Sequence, residues 1–409
     1  MPVNPERIRH DITMIAGFTE TPGAGSTRPT FSTAWRQARD YIVGELEKHG
    51  CNWRIDAAGN LHARHRAISW ESPVWMSGSH LDTVPHGGNF DGVVGVVAPL
   101  EVLRGALEDK KVVPMELVIW AEEEGTTFNL GMAGSRAWIG ELSAEQLGQL
   151  RNSAGQSWFE AGAEHGADSS RIEQERIKSH LVVGLIEVHV EQGPGLYNEG
   201  HSVGVVTAIA GRRQYRCTLT GAANHAGSTS MLDRSDALAG AAEIILGIER
   251  YARGIGGHTV TTVGQIHCEP NAINVIPGKV EFTIDFRSAA TEVIVSGDKA
   301  IRRIIEEVSS ARVLGSCLDV LESLPGTEMN ATVCNRIIKA AQKHGIDIAH
   351  TTSGALHDAA IVAPHVPAAM IFVASRGGVS HNPDEFSRIE DIAAATTVLY
   401  EAVRDRRID

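Results

Sequence analysis

Four short apolar runs constrain this chain more than any other feature. Residues 74–81, 116–121, 181–189 and 367–374 are each bounded by polar or glycine residues and rich in β-branched types. That texture belongs to strands buried on both faces of a largely parallel sheet, which must be covered by helices. All four runs stop at chemically loaded residues: His80 with Asp82, the triplet Glu122-Glu123-Glu124, His189, and the turn from Gly377 to His381. In open α/β sheets ligands collect at the carboxyl ends of strands, so these four clusters are expected along one edge.

The covering helices have their own signals. Ser32-Thr33 opens a helix over residues 34–49, with Trp35, Ala38, Ile42 and Leu46 on one face and Gly50 at its exit. Residues 140–179 are polar and weakly periodic, as in a surface excursion with some helix. From about Gly211 the texture changes. Strand patterns at 215–220, 259–266, 280–287 and 313–321 alternate with helical patterns at 236–249 and around Ile301, Ile304, Ile305 and Val308. That β-α-β-β-α-β order is the signature of a ferredoxin-like α+β sandwich. A helix over 331–344 resumes the first texture, so the small domain is expected as an insert: 211–326 within a discontinuous domain of 1–210 and 327–409.

Composition narrows the chemistry. With 409 residues, 43% of them hydrophobic, the chain can bury a sizeable core. Its 37 Lys+Arg against 50 Asp+Glu, without a segregated basic patch, would repel a phosphate backbone, so nucleic acid is not expected as a partner. No run reaches 18 apolar residues and the N-terminus lacks a signal-peptide core, so a soluble cytoplasmic protein without membrane contact is expected. Five scattered cysteines form no C-x-x-C pair, whereas there are 18 histidines. A bound metal should therefore meet imidazole and carboxylate rather than thiolate.

The strand-end clusters fit that expectation. His80, Asp82 and Asp91, the last in the glycine-rich loop 87–92, can place imidazole and carboxylate around an ion, with Asp82 accepting the second N–H of His80. Three consecutive glutamates after a strand suggest a division of labour, one ligating and another accepting a proton from water. Period-two alternation turns Glu187, His189 and Glu191 to one side, a polar face that a metal would satisfy. Outside the large domain stand Asn224-His225-Ala226-Gly227, Asn274 and Asp285-Phe286-Arg287. Arg287 suits bidentate carboxylate recognition, with a salt bridge to Asp285 as the competing use.

Taken jointly, Gly78 to Asp82, Gly87 to Gly92, Glu123-Glu124-Gly125, His189-Val190-Glu191-Gln192-Gly193, Asn224 to Gly227, Asn274 to Gly278, Ser353-Gly354-Ala355, His357-Asp358 and Ser380-His381-Asn382 resemble the N-carbamoyl-L-amino-acid and allantoate amidohydrolases. These form the amidase branch of the di-metal peptidase/aminoacylase superfamily. The resemblance runs from about Arg28 to the C-terminus. It implies an α/β di-metal aminopeptidase-like catalytic domain with an inserted ferredoxin-like dimerisation (lid) domain, and a homodimer through that insert. It implies two divalent metal ions, Zn, Mn, Co or Ni, one held by His80, Asp91 and His189 and the other by Asp91, Glu124 and His381. Glu123 then matches the general base and Asp82 the residue orienting His80. Gln192, His225, Asn274, Arg287 and Gly377 match substrate contacts, with His225 also a catalytic donor and His225 and Asn274 reaching the neighbouring subunit's site.

The reaction so implied is hydrolysis of a linear ureido bond in a small carboxylate substrate, foremost an N-carbamoyl-L-amino acid, releasing ammonia and carbon dioxide. Allantoate, a β-ureido acid, or the peptidase and deacylase chemistry of the same superfamily are the alternatives. His189 argues against the last, because the peptidase branch usually has a carboxylate there. Serine hydrolysis would need a nucleophile on a strand-to-helix elbow, and Ser79 and Ser353 lack that context. A silent metal-binding relative should have lost the base, yet Glu123 is present. Two departures stand out: Glu122 where the family usually has Asn, and Ser228-Thr229-Ser230-Met231 beside His225.

Overall fold

The computed structural model describes residues 3–406. The chain divides into two compact units, one drawn from Met1–Thr207, Met329–Thr351 and His357–Asp409, the other from Ala208–Glu328 and Thr352–Leu356.

In the first unit the strands are β1 (Cys51–Ile55), β2 (Leu61–His65), β3 (Val74–His80), β4 (Met115–Trp120), β5 (Val182–Val190) and β6 (Val203–Ile209), joined late in the chain by β15 (Ile348–Ser353) and β16 (Ala368–Val373). They lie in the order β1-β2-β4-β3-β5-β16-β6, with β15 also on β6. The central four, β4, β3, β5 and β16, are parallel. Every residue of β3, β4 and β16 is buried, so none of them alternates between a core face and a solvent face. β16 is apolar throughout, and the buried Ser77, Ser79 and Glu116 of β3 and β4 are hydrogen-bonded to Ile186 O, to Glu187, and to His62 and Arg64. The Val-rich helix Val93–Glu108, buried along most of its length, covers the sheet at β3 and β5. Ser32 caps the helix Thr33–Lys48 by accepting the Trp35 N–H.

Residues 140–179 are less of a surface excursion than their polarity suggests. They carry two short helices, Ala144–Gln149 and Trp158–Ala163, each opened by a capping box. Trp158 is buried and packs edge-on against Phe31, beside Phe128. Leu142, Leu147, Ala161 and Ile172 are buried with it, at spacings too irregular to read as one periodicity.

The second unit contains β7 (Gly211–Thr220), β8 (Asn224–His225), β9 (Val260–Thr262), β10 (Ile266–Glu269), β11 (Val275–Ile276), β12 (Lys279–Ser288), β13 (Gly315–Leu324) and β14 (Thr327–Glu328). Its antiparallel sheet has the order β10-β12-β7-β13, with β9 also on β12. The strand expected over 259–266 is thus two short strands, β9 and β10. Helices Ala237–Ile255 and Thr291–Ala311 supply Ile244, Ile248, Ile301 and Ile305 to a core shared with Tyr215, Leu219, Phe282, Ile284 and Phe286. This is the α+β sandwich that the β-α-β-β-α-β order implies.

On β2, His62 is fully buried between Asp56 (3.1 Å) and Glu116 (2.7 Å), and Glu116 also binds Arg64. Burial alone would lower the imidazole pKa, but the two carboxylates raise it to about 9. Because the folded value lies above the unfolded one, the stabilisation is fully present below pH ~6.5 and is lost as pH rises through about 9. At roughly 1.4 kcal/mol per unit, the loss is on the order of 3 kcal/mol. Denaturant melts across that window should show wild type losing about this much more stability than His62→Gln; parallel pH profiles would reject the buried imidazolium.

Candidate metal centre

Three of the predicted imidazoles converge on one carboxylate. Asp91 is buried in the loop between β3 and the helix Val93–Glu108, and its two oxygens face different partners. Oδ1 lies 3.1 Å from His189 Nε2 and 3.6 Å from His80 Nε2. Oδ2 lies 3.3 Å from His381 Nε2 and also accepts Gln192 Nε2 (2.7 Å) and Ser380 Oγ (3.1 Å). Glu124 Oε2 is 3.6 Å from His381 Nε2, and Glu123 Oε2 is 3.7 Å from His80 Nε2. His80, Asp91 and His189 form one group able to share an ion, and Asp91, Glu124 and His381 a second.

The local backbone explains the convergence. His80 ends β3, His189 stands near the end of parallel β5, and the glutamate triplet follows β4. Gly92 has φ +67°, and a Cβ there would fall 2.5 Å from the His80 ring, so only glycine lets the loop pass over the imidazole. His80 Nδ1 lies 2.9 Å from the Asp82 main-chain oxygen and His189 Nδ1 2.9 Å from that of Val190. With those carbonyls accepting from Nδ1–H, both rings turn Nε2 inward, the atom that would ligate an ion once it carries no proton. The His80 Nε2 is buried with no hydrogen-bond partner. A buried nitrogen left unpaired, beside carboxylates crowded together, fits a divalent cation and its N/O donor set.

The electrostatics agree. Burial first, then Asp91, pushes the Glu124 carboxyl up to about 7. Burial pushes Glu123 well above the usual range, helped by Glu124, Asp358 and Asp91 and opposed by His80. Asp91 is the exception: burial would raise it, but the imidazoles of His189, His381 and His80 gathered around it hold it well below the usual range. Asp91 is therefore the permanent anion of the cluster.

One expectation is corrected by these contacts. The Asp82 carboxylate does not take the second N–H of His80: it stands 3.9 Å from Nδ1, and its Oδ2 accepts the Glu124 main-chain N–H (3.0 Å). Asp82 thus steadies the glutamate loop while its carbonyl orients the histidine. Glu187 and Glu191 also have protein partners, although Glu187, His189 and His357 lie close enough together to share an ion. Glu187 accepts Ser79 Oγ (2.8 Å) and the Ala359 N–H (2.9 Å), and Glu191 accepts the Leu196 N–H. Within the glutamate triplet, Glu122 faces a different way from the two residues that follow it. Glu122, at φ 62°, turns away so that Oε1 accepts the Thr127 and Phe128 N–H groups, and burial with Asp82 raises its carboxyl to about 7. A left-handed backbone there suits the family's usual Asn.

The other predicted residues fall as follows. Gly377, at φ +65°, lies in the turn Arg376–Gly378 that leads to His381. In the second unit His225 and Asn274 are neighbours: Val275 pairs with His225, and Ala226 N–H donates to Asn274 O (3.0 Å). His225 Nδ1 accepts the N–H groups of Gly227 and Ser228 (3.0 and 3.1 Å), which leaves Nε2–H as an exposed donor. The departing loop Ser228–Met231 wraps this residue, with Thr229 Oγ1 donating to His225 O (2.8 Å). Arg287 donates Nε and Nη2 to Asp285 and Nη1 to Gly354 O, and Gln214 also donates to Asp285. They line a cavity of about 650 Å³. Sequence reasoning gave no role to Ser380, to Glu385 or to His357, whose ring centroid is 4.5 Å from that of His189; the strings His357-Asp358 and Ser380-His381-Asn382 were the signals for His357 and Ser380, and Glu385 had none.

Residues 76–405 match the model of peptidase family M20/M25/M40, and the chain belongs to that family. It is a hydrolase of C–N bonds. The chain is 39% identical to an N-carbamoyl-L-amino acid amidohydrolase of Geobacillus stearothermophilus over 408 residues, 98% of each protein. It is 31% identical to an allantoate amidohydrolase of Escherichia coli K12, over 96% of each. Among solved structures it is similar to a hydantoinase/carbamoylase family amidase from Burkholderia multivorans, with TM-score 0.90, 32% identity and coverage of 100% and 99%.

Proposed function

We propose that the protein hydrolyses an N-carbamoyl-L-amino acid to the amino acid, ammonia and carbon dioxide. The observation that carries this reading is the division of Asp91 between two imidazole sets, with Glu123 alongside at His80. His80, Asp91 and His189 would hold one divalent ion, and Asp91, Glu124 and His381 a second. When bound, the ions supply Lewis acidity toward water and the scissile carbonyl. Glu123 takes the proton of the attacking water and returns it to the leaving nitrogen. His225 donates Nε2–H to the developing oxyanion. Arg287 receives the substrate carboxylate, assisted by Asn274, Gln192 and the main chain at Gly377.

The second unit, expected over 211–326, serves as lid and dimerisation domain, so that His225 and Asn274 act on the neighbouring subunit. Exposed apolar side chains beside that pair, Met231, Leu232 and Ile273, support a buried role in a homodimer. All five cysteines are free, and among the described residues no helix is long and apolar enough to cross a membrane. Both fit a cytoplasmic enzyme. Zn, Mn, Co and Ni all accept this donor set.

Ammonia release from N-carbamoyl-L-amino acids, their D-enantiomers, allantoate and β-ureido acids, after stripping metal and adding back each of the four, tests the reading. The L-carbamoyl substrates should lead by at least ~10-fold in kcat/KM, as expected of a site that hydrogen-bonds its substrate. Preference for allantoate or β-ureido acids would overturn the substrate assignment. Turnover only of peptides or N-acyl amino acids would overturn the ureido reading.

A further inference from the structure

Behind Asp91 lies a carboxylate that the chemistry above does not use. Glu385 is 4% exposed and follows His381 by four residues, in a turn closed by its own N–H on Asn382 O (3.0 Å). Its Oε2 accepts two main-chain N–H groups, those of Phe90 (2.9 Å) and Asp91 (3.0 Å). Its Oε1 is 3.1 Å from Ser380 Oγ, which is in turn 3.1 Å from Asp91 Oδ2. The room for it is reserved, since a Cβ on Gly88 would fall 2.1 Å from Oε2. Beside it the rings of Phe90 and Phe386 meet edge to face at 5.8 Å.

We propose that Glu385 is a positioning residue that ties the Asp91 loop to the His381 loop and thereby sets the metal position these two ligands share; this rests on the two-metal reading given above. Asp91 must hold Oδ1 toward His80 and His189 while Oδ2 faces His381, and that is possible only from a fixed main chain. Glu385 fixes it by accepting hydrogen bonds from two consecutive N–H groups, which would otherwise be buried without acceptors. The other end of the same side chain holds Ser380, the residue before His381. His381 itself is half exposed at φ 54° and has little else to secure it. One carboxylate thus connects ligand loops 294 residues apart. Removing an outer partner of this kind typically costs ~10- to 100-fold in metal affinity.

The test uses metal-stripped wild type, E385A, E385D and E385Q, titrated with Mn2+ by calorimetry and with Co2+ by visible absorption. E385A should bind the weaker of its Mn2+ ions at least ~10-fold less tightly and shift the Co2+ bands. Its kcat should recover in excess Mn2+, with KM within about threefold of wild type. E385D keeps the charge but is one methylene too short for both loops, and should fall alongside E385A. E385Q keeps an acceptor for the two N–H groups and should stay within about threefold of wild type. Wild-type affinity in both E385A and E385D would overturn the proposal. So would an equal loss in all three variants together with equally lowered melting of the metal-free proteins, the mark of a merely structural residue. A wild type that takes up neither ion would instead sink the two-metal reading, and the proposal with it.

Discussion

Glu123→Gln should lower kcat by about three orders of magnitude while leaving the metal content near about two ions per chain. Glu123 stands on the His80 side of the cluster, at 3.7 Å, and burial with Glu124, Asp358 and Asp91 favours its proton-bearing form. A carboxylate so placed is a better proton acceptor than an exposed one, and its conjugate acid can still release the proton to a leaving nitrogen. Gln copies its shape but not its basicity, so binding should survive and chemistry should not. Glu122→Gln is the matched control. Its Oε1 only accepts the Thr127 and Phe128 N–H groups, which an amide oxygen can also do, so turnover should stay within about threefold. Retained activity in Glu123→Gln would remove it as the base, and a collapse in Glu122→Gln would place the base at its neighbour.

The contrast between these two glutamates shows what was readable in the chain. Which strands end beside the cluster was legible, because the runs of β3 and β5 are rich in apolar residues and His80 and His189 stand at or near their ends. Which atom of a residue does the work was not. Asp82 serves His80 through its carbonyl and Glu124 through its carboxylate, a distinction made by backbone angles that a residue type does not encode. The alternation at Glu187, His189 and Glu191 correctly marked polar groups in need of partners. It could not say that Glu187 accepts Ser79 Oγ and the Ala359 N–H, since those partners come from distant segments. Glu122 was ambiguous for a related reason: only its positive φ separates it from the next two residues. Glu385 was invisible, because its meaning lies in a loop 294 residues earlier.

Arg287→Lys should lower kcat/KM for carboxylate substrates by about 100-fold, chiefly through KM, a loss of roughly 3 kcal/mol. In the second unit the guanidinium already spends Nε and one Nη2 hydrogen on Asp285, and one Nη1 hydrogen on Gly354 O. Of its five N–H donors, one on each Nη therefore remains for an incoming anion. Asp285 is the counter-ion that holds the fork open. Burial would raise its carboxyl pKa, but hydrogen bonds from Arg287 and Gln214 keep it below the usual range, so it stays charged at neutral pH. The salt bridge that competes with substrate binding in the bare sequence is thus compatible with it, because it occupies one edge of the guanidinium and leaves donors elsewhere. Lysine would keep the charge and could still meet Asp285, but it has no second donor in a fixed plane. If charge alone recruited the substrate, the ammonium of the Arg287→Lys variant would suffice and KM would barely move; that result would remove Arg287 as the carboxylate clamp. A neutral amide analogue of the substrate should lose most of its discrimination between the two forms, which ties the effect to the carboxylate rather than to a shifted fold.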